Sequence, residues 1–160
     1  MPAKKQAVTV GPGQEFLITR TFDAPRELVF QAWTDPKHLI HWWGPKGFTN
    51  PVCEWDARSG QRIYVVMRGP NGVDYPMGGE FREVTAPERL VFTSGAVDGN
   101  GNLLFELLHT VTFVEHAGKT TLTIQSRVLS TTAEAGKYIG GYEAGMTQSL
   151  ERLATHLGQL

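Results

Sequence analysis

Short turn sequences divide the middle of the chain into strand-like segments, and this spacing is the strongest constraint on the fold. Residues 69–72 (GPNG) and 98–101 (DGNG) are examples of these turns. Parallel strands need a crossover of a dozen or more residues, so links this short favour antiparallel hairpins. The predicted strands are residues 52–57, 61–68, 75–84, 88–94, 104–115 and 120–129.

The segment before this run predicts one further strand and two short helices. Residues 15–22 (EFLITRTF) alternate as a strand does. Asp23 or Ala24 is expected to cap the first helix, which continues through the sequence PRELVFQAW. Asp35 is expected to cap the second helix, with Pro36 in its first turn.

A long amphipathic helix is predicted at the C-terminal end. Thr131 and Glu134 have the spacing of a capping box. A stripe of apolar side chains follows, and it needs a partner. The predicted architecture is therefore α+β, with this helix across the concave face of a curved seven-stranded antiparallel sheet. The stripe consists of Ile139, Tyr142, Met146, Leu150, Leu153 and Leu157.

Length and composition exclude several classes of protein. The 160 residues, 41% of them hydrophobic, suit one domain over residues 15–160 after a flexible leader over residues 1–14. A net charge of −1 gives no electrostatic reason to expect nucleic acid as a partner, and no apolar run has the length of a membrane span. The single cysteine, Cys53, fits a reducing, cytoplasmic compartment.

Glycines in the last helix raise the question of internal space. Gly136, Gly140, Gly141 and Gly145 would each cost about 0.5–1 kcal/mol relative to alanine in a helix interior. Bare backbone allows the close approach of another element, or it leaves room for a bound molecule between helix and sheet. The alternative is a kinked or frayed helix start with no role in binding.

Two adjacent tryptophans, Trp42 and Trp43, belong to the same question. Neighbouring helical residues point about 100° apart, so both cannot face one point of the core. One is expected to pack under the sheet, and the other to lie near an entrance between the short helices and the last one. Tryptophan suits the wall of a pocket of mixed polarity, although ordinary core packing is the alternative for each residue.

His109 is the polar residue of greatest interest. It shares a strand face with Val111 and Phe113, so it would face inward if that face does. There it would orient a ligand carbonyl or accept a proton, whereas the alternative is a core histidine bonded to a neighbour. The residues predicted to bind a ligand are Trp42, Trp43, Phe48, Trp55, Tyr64, Val66, Tyr75, Met77, Phe92, Phe105, His109, Val111, Tyr142 and Met146.

No metal, cofactor or catalytic group is predicted. His38 and His41 stand three residues apart, but zinc needs three or four ligands and no third is local. The DGNGN sequence lacks the glycine and glutamate of a calcium loop, since Leu103 and His109 occupy those positions. Cys53 lies in a strand pattern, which is typical of an inert buried thiol.

Several motifs together resemble a known family. They are FDAPRELVFQAWTDPKHLIHWWGPKGF, MRGPNG, GEFREVTAPERLVFT, TTLTI and GYEAGMTQSLERLATHL. Over residues 15–158 the chain resembles activator-of-heat-shock-ATPase-like proteins of the START-like superfamily, which also contains polyketide cyclases and the birch-pollen allergen. The resemblance implies a helix-grip fold with a cavity between the long helix and the sheet.

Three functions are compatible with this resemblance. The first is binding of a small hydrophobic or amphipathic molecule in the cavity, as single-domain bacterial members look like small-molecule binders. The second is a cyclase- or hydrolase-type enzyme acting in the same cavity. The third is a co-chaperone-like module that stimulates a heat-shock ATPase, although the chain has no room for the separate N-terminal domain of the eukaryotic co-chaperones. A possible homodimer would use exposed strand edges or a helix face.

Overall fold

The computed structural model describes residues 12–133, 135 and 139–160. Its strands and its last helix follow the hydrophobic alternation and periodicity of the sequence closely. In chain order the elements are β1 Glu15–Phe22, α1 Arg26–Thr34, α2 Pro36–Leu39, β2 Thr49–Trp55, β3 Arg62–Arg68, β4 Asp74–Thr85, β5 Arg89–Ala96, β6 Phe105–His116, β7 Lys119–Thr131 and α3 Tyr142–Gly158.

The seven strands form one antiparallel sheet, which confirms the α+β prediction. Their order is β1-β7-β6-β5-β4-β3-β2, so β2 through β7 form a meander and β1 pairs with β7. The register shifts within β4–β5 and again within β6–β7. Such bulges bend a strand and increase its twist, which accounts for the curvature of the sheet.

Two glycines allow the strands near one end of the sheet to approach closely. A Cβ at Gly79 would overlap the backbone carbonyl of Thr93, and a Cβ at Gly95 would overlap that of Phe105. A side chain at either position would therefore force the neighbouring strand away.

The first helix begins later than the sequence predicted. Neither Asp23 nor Ala24 is its N-cap, because Pro25 takes that position with an extended backbone and no side-chain cap. Instead, the Glu115 carboxylate of β6 accepts a hydrogen bond from the Arg26 backbone N–H at 2.8 Å. The first turn of α1 is thus capped by a distant strand, which the local sequence does not reveal.

The second helix begins as predicted. The Asp35 side chain accepts a hydrogen bond from the Lys37 backbone N–H at 2.9 Å, and Pro36 occupies the first turn. Within the part of the chain that the structure describes, no helix is long and apolar enough to cross a membrane.

The regular part of the last helix begins at Tyr142, with Gly141 as its N-cap. The predicted capping box involves Glu134, which lies outside the described residues, as does Gly136. The apolar stripe of this helix packs into the main core as predicted, and its side chains from Met146 to Leu157 are buried against the sheet and α1. The helix therefore forms one wall of the interior.

Candidate functional site

A cleft of about 720 Å³ lies between the first half of α3, the loop after α2 and the inner side of β4 and β5. Its lining is mainly apolar, with a few hydroxyl and carboxylate groups. Small-molecule sites in proteins typically measure about 300–1,000 Å³ and have this composition. The cleft occupies the position at which the sequence predicted internal space.

Half of the predicted ligand-binding residues line this cleft. The bulged sheet, the loop after α2 and the first turns of α3 bring them together from separate parts of the chain. They are Trp43, Phe48, Tyr75, Met77, Phe105, Tyr142 and Met146.

The other predicted residues lie elsewhere. Trp42, Trp55, Phe92 and Val111 belong to the main core, away from the cleft. On β3, Tyr64 faces away from its fully buried neighbours Ile63 and Val65, and the Arg62 guanidinium lies 5.5 Å from its ring centroid. Val66 is buried but is not part of the lining. His109 lies directly behind the wall, as described below.

The two adjacent tryptophans have different roles in packing. Trp42 is fully buried, and its indole N–H donates to the Ala32 carbonyl at 3.0 Å. Trp43 forms part of the cleft wall, and its indole N–H points to the Met77 sulfur at 3.3 Å. Each ring also packs edge-on against Trp33. One indole therefore completes the core and the other closes the side of the cleft.

Gly145 leaves open space in the wall formed by α3. A Cβ at this position would meet only a Pro45 side-chain atom within 4 Å, at 3.6 Å, which is an ordinary contact. A helical glycine can allow another backbone to approach closely, or it can leave room beside the helix. At Gly145 it leaves room beside the helix.

Replacing Gly145 with alanine is expected to raise the free energy of unfolding by about 0.5–1 kcal/mol. Alanine restricts the unfolded backbone and costs less in a helix interior, and no clash opposes it here. Urea denaturation of both proteins measures the difference. A loss of stability would show that the backbone conformation at this position requires glycine.

A row of polar side chains crosses three adjacent strands behind the cleft. Ser94 of β5, His109 of β6 and Ser126 of β7 all face inward, and Tyr142 of α3 reaches them from the opposite wall. The His109 Nε2 lies 2.6 Å from the Ser94 hydroxyl, and its Nδ1 lies 2.7 Å from the Ser126 hydroxyl. The Tyr142 hydroxyl lies 2.7 Å from Ser126 and 3.2 Å from His109 Nδ1. Ser94 and Tyr142 are the members of this row that line the cleft.

Burial keeps this polar row uncharged. His109 is 1% exposed, and burial lowers its pKa from 6.5 to about 3. Burial also raises the pKa of the Tyr142 phenol, and it is the largest influence on that group. Because both ring nitrogens of His109 have hydroxyl partners, its burial leaves no polar atom unsatisfied. The row therefore offers neutral hydrogen-bonding groups at neutral pH.

Arg152 fixes the loop that forms the Trp43 side of the cleft. Its guanidinium donates five hydrogen bonds of 3.0–3.2 Å to backbone carbonyls within residues 41–48. The same loop donates from the Gly44 backbone N–H to the Ser149 hydroxyl at 3.0 Å. Gly44 has φ +99°, a left-handed conformation that turns the chain sharply at this point. No local sequence pattern indicates this contact, because it joins positions about a hundred residues apart.

Three histidines lie together where α3 meets the α2 region. They are His38 on α2, His41 in the turn that follows α2, and His156 on α3. His38 Nδ1 lies 2.9 Å from His156 Nε2, and the His41 ring stacks on His156 with centroids 5.4 Å apart. The sequence placed no third histidine here. Among the described residues no cluster of three His, Cys, Asp or Glu side chains has an arrangement that would hold a metal ion. Burial lowers the pKa of His156, and the charges of the other two histidines act in the same direction.

Cys53 has little nucleophilic character. It is half-buried on β2, and burial raises the pKa of its thiol from 9.0 to about 11. The thiol is therefore protonated at neutral pH, which is the unreactive form.

Solved structures of bacterial proteins share the fold. The AHSA1 protein of Silicibacter pomeroyi is 26% identical, with a TM-score of 0.79, over 91% of this chain and 99% of its own. A protein of Arthrobacter aurescens is 28% identical, with a TM-score of 0.79, over 91% of this chain and 87% of its own. A protein of Chromobacterium violaceum is 26% identical, with a TM-score of 0.74, over 89% of this chain and 96% of its own.

No curated relative matches the chain in sequence. A family model, in contrast, matches most of it, from the end of β1 to the end of α3. The curved antiparallel sheet with a C-terminal helix across it is the helix-grip arrangement that the motifs implied. On this match over residues 23–158, the chain belongs to the AHSA1 family, the Activator of Hsp90 ATPase homolog 1-like proteins.

Proposed function

We propose that this protein binds a small hydrophobic or amphipathic molecule in the cleft between the sheet and α3. It would do so in the cytoplasm as a single domain over residues 15–160. The observation that carries the proposal is the cleft itself, because about 720 Å³ of mainly apolar space is left between well-packed elements. A helix selected for stability alone would have a side chain at Gly145, where one fits.

A binding role is favoured over a hydrolytic one by the chemistry of the polar row. The Ser94 hydroxyl contacts His109, as a nucleophile contacts its base. A histidine with a pKa of about 3 is a weak base, however, far from the value near the working pH that general-base catalysis requires. The pair is therefore better suited to orienting a ligand than to attacking it.

The family description also raises the co-chaperone function, and this alternative makes a different prediction. It requires a surface outside the cleft to contact a heat-shock ATPase, so substitutions in the cleft would leave that activity unchanged. Binding of a small molecule depends instead on the cleft side chains.

The test uses N-phenyl-1-naphthylamine, an uncharged fluorescent probe with an apolar body. We expect saturable binding, and stabilisation by about 2.7 kcal/mol when the free probe is at roughly a hundred times its Kd. The variant Gly145→Phe fills the cleft with a ring and should weaken binding at least tenfold. The matched control Ala144→Phe places the same ring on the neighbouring, exposed position of α3 and should bind as the parent protein does.

Two results would contradict this function. One is that the probe neither binds nor raises the melting temperature of the parent protein. The other is that Gly145→Phe, folded by circular dichroism, binds the probe as tightly as Ala144→Phe. Either outcome would leave the cleft without a role as a ligand site.

A further inference from the structure

We propose that the cleft selects an uncharged ligand with a hydroxyl or carbonyl group, which bonds to Ser94 and Tyr142, and that it discriminates against carboxylates. This inference rests on the proposed function and specifies the class of molecule bound. It depends on two independent features, the polar row and the distribution of charge around the cleft.

The polar row contributes two hydroxyl-bearing residues to the cleft wall. Ser94 and Tyr142 line it, and both bond to the same imidazole behind the wall. When the His109 proton is on Nδ1, Nε2 accepts from Ser94, whose lone pairs then face the ligand. When the proton is on Nε2, the ring donates to Ser94, whose own proton is free to reach the ligand. The row can therefore match either a hydroxyl or a carbonyl on the ligand without gaining charge.

The charged side chains among the described lining residues of the cleft are carboxylates. Among the described residues of the lining, none is lysine, arginine or histidine, while Asp74 and Asp98 are both present. Asp74 pairs with Arg68 at 2.7 and 3.2 Å. Asp98 accepts from two backbone N–H groups of its own loop, at 2.8 and 2.9 Å. A carboxylate that entered here would lose its water and meet no described cation in the wall, which is unfavourable.

Arg68 is already paired with the Asp74 carboxylate, and two further candidate cations near the site do not supply a positive charge to the ligand. Arg152 directs its guanidinium to the carbonyls of the 41–48 loop and lines a separate hollow of about 460 Å³. His109 lies directly behind the wall, but its burial, at 1% exposure, favours the neutral ring. The described wall is therefore neutral where the ligand would bond and negative at Asp98.

Three probes with one apolar body separate these contributions. They are naphthalene, 2-naphthol and 2-naphthoate, titrated into the full chain at pH 7 by calorimetry. We expect 2-naphthol to bind at least threefold more tightly than naphthalene and at least tenfold more tightly than 2-naphthoate. Ser94→Ala and Tyr142→Phe should each reduce the advantage of 2-naphthol over naphthalene, because each removes one hydroxyl. Tyr64→Phe, which removes a hydroxyl away from the cleft, should not.

A charge change at the mouth tests the electrostatic part. Val73 lines the cleft and is 46% exposed, so a longer side chain is tolerated there. Val73→Lys should reduce the preference for 2-naphthol over 2-naphthoate at least threefold, and Val73→Gln, of similar size but uncharged, should leave it unchanged.

The outcomes distinguish this inference from the proposed function. If 2-naphthoate binds the parent protein as tightly as 2-naphthol, the selectivity is wrong while the cleft still binds ligands. The same conclusion follows if Val73→Lys and Val73→Gln show equal preferences. If none of the three probes binds, both the inference and the proposed function fail.

Discussion

Replacing Arg152 with methionine is expected to lower the free energy of unfolding by about 3 kcal/mol and to weaken probe binding in the cleft. Methionine approximates the length of the apolar stem but donates no hydrogen bond. Five backbone carbonyls of the 41–48 loop would then lose a charged donor. Each charge-assisted bond is worth about 1.5–3 kcal/mol, but the five share two nitrogens and water can replace some of them.

Urea denaturation measures the stability, and titration with N-phenyl-1-naphthylamine measures binding in the cleft. Arg152→Lys should recover only part of the loss, because an ammonium cannot span five acceptors as the planar guanidinium does. Glu151→Gln, on the neighbouring exposed position, is the control and should stay within about 0.5 kcal/mol of the parent protein. If Arg152→Met were as stable as this control, the hydrogen bonds from Arg152 to the loop would make no net contribution to the free energy of unfolding.

Most of the fold follows from local signals in the sequence. The turns at residues 69–72 and 98–101 lie between observed strands, and the predicted strand limits agree with the structure to within three residues. This agreement has a physical cause, since alternation and turn chemistry act over only a few residues. The start of α1 was missed for the opposite reason, because its cap comes from Glu115 on a distant strand.

The site is less accessible from the sequence than the fold. Strand alternation correctly placed His109 on one strand face with Val111, and the structure shows that this face is the buried one. Alternation could not show that Ser94 and Ser126 flank the ring, because this depends on how three strands are aligned. Bulges shift that alignment, and no local pattern fixes their positions.

The same limit explains why half of the predicted ligand-binding residues lie outside the cleft. Aromatic residues such as Trp55 and Phe92 are typical of pocket walls, but they are also typical of hydrophobic cores. Which role each takes depends on the distance between helix and sheet at its level. Toward the C-terminal end of α3 the leucines fill that space, and beside Gly145 it stays open.

Acidification is expected to destabilise the protein through His109. Its pKa is about 3 in the folded state, against 6.5 for an ordinary histidine. Between these values the unfolded chain takes up a proton that the folded chain excludes. Stability is therefore fully present above pH 6.5 and falls as the pH is lowered, by about 1.4 kcal/mol per pH unit, or about 3 kcal/mol by pH 4.

The variant His109→Gln isolates this contribution. Glutamine can still bond to the neighbouring hydroxyls but does not titrate, so this variant should be less stable at pH 7 and should lose most of the slope between pH 6.5 and 4. Urea denaturation at half-unit pH intervals measures both quantities. The control His116→Gln removes an exposed histidine from the far end of the same strand, and it must keep the slope if burial is the cause. Parallel curves for the parent protein and His109→Gln would show that the imidazole accepts a proton inside the folded protein. The polar row would then carry a positive charge in acid, and the cleft would lose its discrimination against carboxylates at low pH.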